Sequence, residues 1–358
     1  MQFSGIYTTG LLEKANQKAH ELGFKNEEAN CLRSLGDLAF RQSQNQEADD
    51  FYRQALPLYE KIDALLGKAN CLRNLGNLAL RQSQNQEAED FYRQALPLYE
   101  KMGDLLGKAN CLRSLGDLAF RQSQNQEAED FFRQALPLYE KIGDLLGKAN
   151  CLKSLGNLAF RQSQNQEADD FYRQALPLYE KIGDSLGKAN CLKSLGDLAF
   201  RQSQNQEADD FYRQALPLYE KIGALLGKAN CLYRLGDLAF RQSQNQEADD
   251  FYRQVLPLYE KIGDLLGKAN CLRSLGKLAM EEENYEETEK LYFQSIQYYA
   301  QINDPYSIGF SYKYLGDLYQ KTGNKVKEQA YFCLAKKTWE GANLHNLVAE
   351  YLSWVVCA

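Results

Sequence analysis

Several patterns are missing from this sequence of 358 residues, and each absence removes a class of function. No run of eighteen apolar residues occurs, so no segment is expected to span a membrane. The opening stretch, MQFSGIYTTGLLEKANQKAHELGF, lacks a basic start followed by an apolar core, so no signal peptide is expected and the chain reads as soluble and cytoplasmic. Only two histidines exist, His20 and His345, and neither stands in a nucleophile or metal arrangement. No pair of cysteines has the C-x2-C spacing that zinc favours. The stretch GDLLGKA has three residues between its glycines where a phosphate loop needs four, and Ala149 stands where Ser or Thr would hold magnesium. Paired acids such as Asp49–Asp50 recur in repeat after repeat, which suits a solvated face rather than one catalytic site. The sequence therefore predicts no enzyme, no metal and no cofactor.

What is present is repetition. The chain is 44% hydrophobic and 25% charged with a net charge of −6, ample for a buried core and unlike a disordered chain. From about residue 29 to 280 it repeats every forty residues in near-identical form. In one repeat, Ala109, Leu112, Leu115 and Ala119 have helical spacing, and so do Ala128, Phe131, Phe132, Ala135, Leu138 and Ile142. Between them lies RQSQNQ, polar, without glycine or proline, and long enough only for a turn. Each repeat is thus two antiparallel helices, A and B. Seven of the nine cysteines (Cys31, Cys71, Cys111, Cys151, Cys191, Cys231 and Cys271) fall at equivalent places. Stacked helices lie roughly 8–10 Å apart, whereas a disulfide needs Cα atoms within about 7 Å. These seven are expected to be reduced, packed thiols.

The pattern Leu112-x2-Leu115-Gly116-x2-Ala119, then Ala128-x3-Phe132-x2-Ala135, resembles the tetratricopeptide repeat. Tyr312-x2-Leu315-Gly316-x2-Tyr319, completed by Phe332 and Ala335, is closer still. The period of forty rather than thirty-four, and Glu60 where the family has a proline, resemble the long-helix variety of kinesin light chains, Pins-type adaptors and bacterial signal-transduction ATPase sensor arms. The resemblance implies an all-α solenoid, a right-handed superhelix of about eight full repeats with a half repeat at each end. It divides a single domain over 1–358 into an N-terminal half repeat (5–28), near-identical repeats (29–280), divergent repeats (281–342) and a C-terminal capping helix (343–358). The apolar end, LVAEYLSWVVCA, either packs back on the preceding helices or supports self-association.

Helix ends are spelled out. Gly143 supplies a left-handed turn and Asp144 a cap, while the divergent INDPYS uses Asn303, Asp304 and Pro305 for the same purposes. Ala64 and Ala224 stand where the other repeats cap with Asp. Helix B carries a proline in its interior at Pro57, Pro97, Pro137, Pro177, Pro217 and Pro257, a residue that costs about 3 kcal/mol in an isolated helix. The apolar stripe runs through it unbroken. Pro57 is therefore read as lying on the solvated side, either kinking each repeat alike or tolerated with little effect on curvature.

In the family, helix A lines the inner, concave face. Its inward columns should hold Asn30, Arg33, Ser34, Asp37 and Arg41, with Phe40 beside them. The Arg33, Ser34, Asp37 and Arg41 columns together are net positive in every repeat, although the whole chain is acidic. Such a stripe suits an acidic ligand; alternatively Arg33 and Asp37 merely pair along the helix. The Phe40 column is read as packing between helices, with a ligand platform as the alternative. The repeats differ most in these columns, and the basic and aromatic residues gather late, at Tyr233, Arg234, Arg273, Lys277, Lys313 and Tyr314. These six, with Arg33, Arg73 and Arg113, are the candidate partner-binding residues. Family members that clamp a peptide carboxylate use Asn where Asp37 and most of its equivalents stand, so that particular activity is not implied. The function expected is a scaffold for an acidic protein or peptide segment. The alternatives are a ligand-sensing arm of a signalling system and, against the acidic exterior, an RNA-binding repeat.

Overall fold

Eighteen α-helices and no strand occur among the described residues, 2–357, of the computed structural model, with side chains described from Thr8 onward. The helices fall into two groups, one up to Gly183 and one from Asp184. The first holds α1 (Gln2–Leu22), α2 (Lys25–Arg41), α3 (Asn45–Lys61), α4 (Leu65–Arg81), α5 (Asn85–Met102), α6 (Leu105–Arg121), α7 (Asn125–Ile142), α8 (Leu145–Arg161) and α9 (Asn165–Ile182). The second holds α10 (Ser185–Arg201), α11 (Asn205–Ile222), α12 (Leu225–Arg241), α13 (Asn245–Ile262), α14 (Leu265–Glu281), α15 (Tyr285–Gln301), α16 (Pro305–Lys321), α17 (Lys325–Gly341) and α18 (His345–Tyr351). Within each group every A helix packs on the B helix that follows it, and each B helix packs on the next A helix. This is the all-α architecture of stacked helical hairpins that the periodicity predicts. No described helix is long and apolar enough to cross a membrane.

Two aromatic residues of helix B close each hairpin, and two features of helix A receive them. Tyr52 lies on Gly36, where a Cβ would come within 2.6 Å of the ring, so only glycine permits the approach. The Tyr52 hydroxyl then donates to Asp37 at 2.8 Å. The Tyr59 hydroxyl donates to Asn30 at 2.8 Å. Both rings are fully buried, a gain of roughly 1.5–3 kcal/mol each, and their polar ends are satisfied rather than stranded. The Tyr59 bond recurs at Tyr99–Asn70, Tyr139–Asn110 and Tyr179–Asn150 in the first group, and at Tyr219–Asn190, Tyr259–Asn230 and Tyr299–Asn270 in the second. Beside these rings six of the seven repeat cysteines are buried as free thiols. The Cys71 thiol donates to the Tyr52 carbonyl at 3.1 Å. Cys31, in the first repeat, is only half-buried.

The polar turn between A and B is made by a serine in the left-handed region, φ 62° at Ser43, Ser83 and Ser123. That conformation costs an L-residue roughly 1–2 kcal/mol. It is offset by the bond from the Gln44 amide to the Ala39 carbonyl, 2.9 Å. Helix α3 continues through Pro57 to Lys61. Pro57 and Arg53 are both exposed, so water reaches the carbonyl that proline leaves without a donor. On the same solvated side Arg53 bonds Asp49 at 2.7 Å and Glu87 of the next repeat at 2.8 Å, and Gln46 donates to Asp50 at 3.2 Å, so both of the paired acids are engaged.

The caps follow the sequence. Gly143 has φ 73°, Asn303 φ 53°, and Asp144 and Asp304 accept from the amides of Gly147 and Ser307. Ala224 has φ −80° and ψ 80°, close to Asp264 at −81° and 91°, but makes no side-chain cap bond. Ala224→Asp is therefore expected to place a carboxylate on the Gly227 amide and stabilise the protein by about 1 kcal/mol. A denaturant melt checks this, and Ala64→Asp should behave alike in the first group. An unchanged midpoint for both variants would contradict the cap.

The chain end departs from expectation. The capping helix expected over 343–358 is helical only from His345 to Tyr351, and Ala358 lies outside the described residues. Beyond it Leu352 and Val355 turn inward and are buried with Phe332 and Trp339, whereas Trp354 and Val356 stay exposed. Leu352 and Val355 keep the i, i+3 spacing of a helix, but past Tyr351 the segment runs on as an irregular strap. Lys336 Nζ donates to the Val355 carbonyl at 2.7 Å, and Cys333 and Cys357 are joined as a disulfide with Cα atoms 5.5 Å apart. Neither cysteine belongs to the repeating column, so the periodic spacing carried no signal for this pair.

Candidate functional site on the A helices

The candidate residues lie on helix A at positions fixed by the helical register, and the structure separates those already engaged from those that are not. In the first group Arg113 Nη1 bonds Asp117 at 2.8 Å, and Arg33 approaches Asp37 at 4.0 Å. In the second, Lys193 bonds Asp197 at 2.6 Å and Lys313 bonds Asp317 at 2.8 Å. The four-residue pairing within the helix thus neutralises Arg33, Arg113 and Lys313. Arg73 has Asn77 in the acid's place, and Asn77 accepts from Tyr92 at 2.7 Å. The Asn30 column, expected to line the inner face, is spent on Tyr59 and its equivalents. A cleft of about 430 Å³ beside Arg33 also contains Asp63, an acid of opposite sign.

The Arg41 column is engaged as well. Arg81 stacks 4.0 Å over Phe40 and donates to its carbonyl at 2.6 Å. Arg161 does the same to Phe120 at 3.6 Å, and Arg241 to Phe200 at 3.5 Å. Phenylalanine here packs between repeats under an arginine from the next one, worth roughly 0.5–2 kcal/mol per contact.

The late cluster is different. Arg273 and Lys277 on α14 line a cleft of about 310 Å³ together with Tyr233, Asp237 and Arg241 of α12. Tyr233 and Ser274 share a hydrogen bond of 3.1 Å across its floor. Lys277 stands where the earlier repeats hold Asp or Asn, so Arg273 has no acid four residues on; it reaches Asn270 at 3.2 Å. The Lys277 ammonium lies 4.8 Å over Tyr314, which stacks on Tyr292 at 5.6 Å. Asp237 is the one acid of the lining; it accepts from Tyr252 at 2.8 Å. Burial pushes its carboxyl above the usual aspartate range, against the opposing pull of Arg234, Tyr252 and Lys277. Three cations therefore face one acid.

Of the six late residues the structure brings Tyr233, Arg273 and Lys277 into one cleft, with Tyr314 beside Lys277. Arg234 turns away to Asp197 at 3.2 Å and Asp237 at 3.4 Å. Lys313 is held by its own Asp317. Phe240, Arg241 and Ser274, which also line the cleft, fall in the Phe40, Arg41 and Ser34 columns that the sequence placed on or beside the inner face, but were not among the candidate binding residues. Phe240 and Arg241 are the usual residues of their columns, whose departures (Leu80, Met280 and Gln320; Glu281 and Lys321) lie in other repeats, so internal comparison gave no signal for these two. Among the described residues no cluster of His, Cys, Asp and Glu is placed to hold a metal ion.

The comparisons with known proteins agree with this architecture. The chain overlays a signal transduction ATPase with numerous domains and a tetratricopeptide repeat sensor from Pyrococcus horikoshii, with TM-score 0.73 and 14% identity, over 98% of this chain and 54% of that one. It thus spans about half the length of that protein. It overlays the apo quorum sensor NprR from B. thuringiensis with TM-score 0.67 and 13% identity, over 94% and 97% of the two chains. The Rap conjugation gene regulator of plasmid pLS20, in complex with the Phr* peptide, gives TM-score 0.57 and 16% identity over 96% and 97%. At these identities the likeness is one of fold. No curated protein sequence matches the chain. The tetratricopeptide repeat pattern matches residues 27–101, 68–141, 108–181 and 147–221. These overlapping windows cover more than half of the chain, which belongs to the tetratricopeptide repeat family.

Proposed function

We propose that the protein is a non-catalytic scaffold that binds an acidic segment of a protein partner on the A helices of its second group, at the cleft between α12 and α14. One observation carries the reading. Arg33, Arg113, Lys193 and Lys313 each have an acid four residues on, whereas Arg273 and Lys277 lie over the rings of Tyr299 and Tyr314, have no such acid, and together line open space. Unneutralised cations beside aromatic walls fit a negatively charged segment. Two of the fold relatives, a quorum sensor and a regulator in complex with a peptide, support a peptide-sized ligand. The sensor reading stands second, supported by the likeness to the sensor-bearing ATPase.

The test is calorimetry with an acidic peptide selected by display against the whole chain. Lys277→Glu is expected to weaken binding by roughly 1–3 kcal/mol, and rising salt should weaken it further. Asp250→Lys, on the exposed side of α13, should leave affinity unchanged. Loss with the α13 change and none with Lys277→Glu would place the ligand on the other face and sink the proposal.

A further inference from the structure

The cleft has a second irregularity besides Lys277. In this column the phenylalanine of one repeat is covered by the arginine of the next, as Phe40 is by Arg81, Phe120 by Arg161 and Phe200 by Arg241. The residue that should cover Phe240 is at position 281, and it is Glu281. Phe240 is therefore a wall of the cleft without its arginine cover. The exchange of Asp for Lys277 and of Arg for Glu281 falls within one turn of α14. The first adds a cation to the cleft and the second uncovers a ring in it. The neighbouring repeat shows the filled alternative: Arg234, at the position of Ser274, reaches Asp197 and Asp237. The short Ser274 leaves that space open and contributes a hydroxyl with Tyr233.

Charge selects among anions. Arg241, Arg273 and Lys277 outnumber Asp237 by two, and Asp237 is already faced by Arg234 and bonded by Tyr252. A carboxylate brings one negative charge; a phosphate monoester brings about −1.5 to −2 and three acceptor oxygens. Two guanidinium groups, an ammonium and two hydroxyls match the second better. The volume, about 310 Å³, suits one side chain rather than a folded surface.

We infer that the cleft between α12 and α14 takes an aryl phosphate, a phosphorylated tyrosine side chain on the partner segment, with the phosphate on Arg273 and Lys277 and the ring against Phe240. This deepens the acidic-segment reading and rests on it. The probes are phenyl phosphate, inorganic phosphate and benzoate, titrated into the whole chain by calorimetry or by NMR shifts. Phenyl phosphate should bind at least about ten-fold more tightly than either of the others. Lys277→Asp, which restores the residue of the other repeats, should lower its affinity about ten-fold or more. Glu281→Arg should restore the cover on Phe240 and erase the advantage of phenyl phosphate over inorganic phosphate, although it adds a positive charge. Position 281 is exposed and position 277 half-buried, so both variants should keep the wild-type helical signal and melting point. Equal binding of phenyl phosphate and inorganic phosphate by the wild type, equal binding of benzoate, or an advantage that survives Glu281→Arg would each overturn the inference. An unphosphorylated acidic peptide that binds and is lost with Lys277→Glu would, in the same experiments, leave the broader scaffold reading standing.

Discussion

Raising the pH of a reduced solution from about 8 to about 11 is expected to unfold the protein over a narrow range. Burial pushes the thiols of Cys71, Cys111, Cys151 and Cys231 up to about 12. It also drives the phenols of Tyr52, Tyr92, Tyr99, Tyr212, Tyr252 and Tyr259 well above the ordinary tyrosine range. In the unfolded chain these groups lose protons near pH 8.5 to 10, roughly their ordinary values. The folded chain holds them longer. It then binds more protons than the unfolded chain, so stability is complete below about pH 8.5 and falls as pH rises. Each group contributes a slope of about 1.4 kcal/mol per pH unit, so the four thiols alone supply on the order of 5. Once the tyrosines join near pH 10, the loss within about one further unit rivals a whole domain's stability of roughly 5–15 kcal/mol. Helical circular dichroism and tyrosinate absorbance should therefore change together. Tyrosinate absorbance rising at an ordinary pH while the helical signal persists would show that the phenols are not shielded as described.

Trp339→Ala is expected to cost about 3–5 kcal/mol and to melt the end of the chain ahead of the other repeats. Trp339 takes the place of Tyr59 in the divergent repeat and is fully buried. Its indole is larger than a phenol, and helix α16 has changed to receive it. Gly309 stands where the other repeats have Ala69, and a Cβ there would overlap the indole. Phe310 stands where they have Asn30, with its ring centroid 5.0 Å away. The donor that a tyrosine would give to asparagine is replaced by the indole N–H, which donates to the Tyr306 carbonyl at 3.1 Å. Leu347, Leu352 and Val355 close over the same cluster, so the strap loses its support when the ring is removed. Hydrogen exchange should show fast amides in α17 and α18 of the variant, with those of α10 to α13 unchanged. A cycle with Gly309→Ala tests the coupling: alanine should be harmful beside Trp339 and tolerated beside Trp339→Tyr. Additive costs would mean that the two positions are not matched.

The face of each A helix was less legible than its ends. Helix boundaries, the Gly-Asp junctions and the Asn303-Asp304-Pro305 variant are local chemistry, because a cap or a left-handed turn is decided within a few residues. The role of Asp37 is not local. Its partner, Tyr52, is fifteen residues away on the next helix. Exchange to Asn77 or Asn157 keeps an acceptor for Tyr92 or Tyr172, so a change that looked like variation in a binding face preserves a packing bond. The two positions do not change together either. Phe132 has no hydroxyl although Asp117 remains, and there Arg113 and Ser154 take up the carboxylate. Comparing repeats could not reveal a contact whose members vary independently.

By itself the sequence determined the forty-residue hairpin, the helix ends and the stacking class. Those follow from apolar spacing and from backbone groups that must be satisfied near by. Tertiary structure decided which charges are available. The sequence left open whether Arg33 and its equivalents pair along the helix or face a ligand; in the structure Arg33, Arg113 and Lys313 meet carboxylates, and Arg273 and Lys277 line a cleft. It also decided that Cys333 meets Cys357, and that Phe240 loses its cover when position 281 is glutamate. A cation's usefulness to a ligand depends on its neighbours in space: the acid four residues on shares its helix, but the rings under Arg81 and Lys277 lie on other helices.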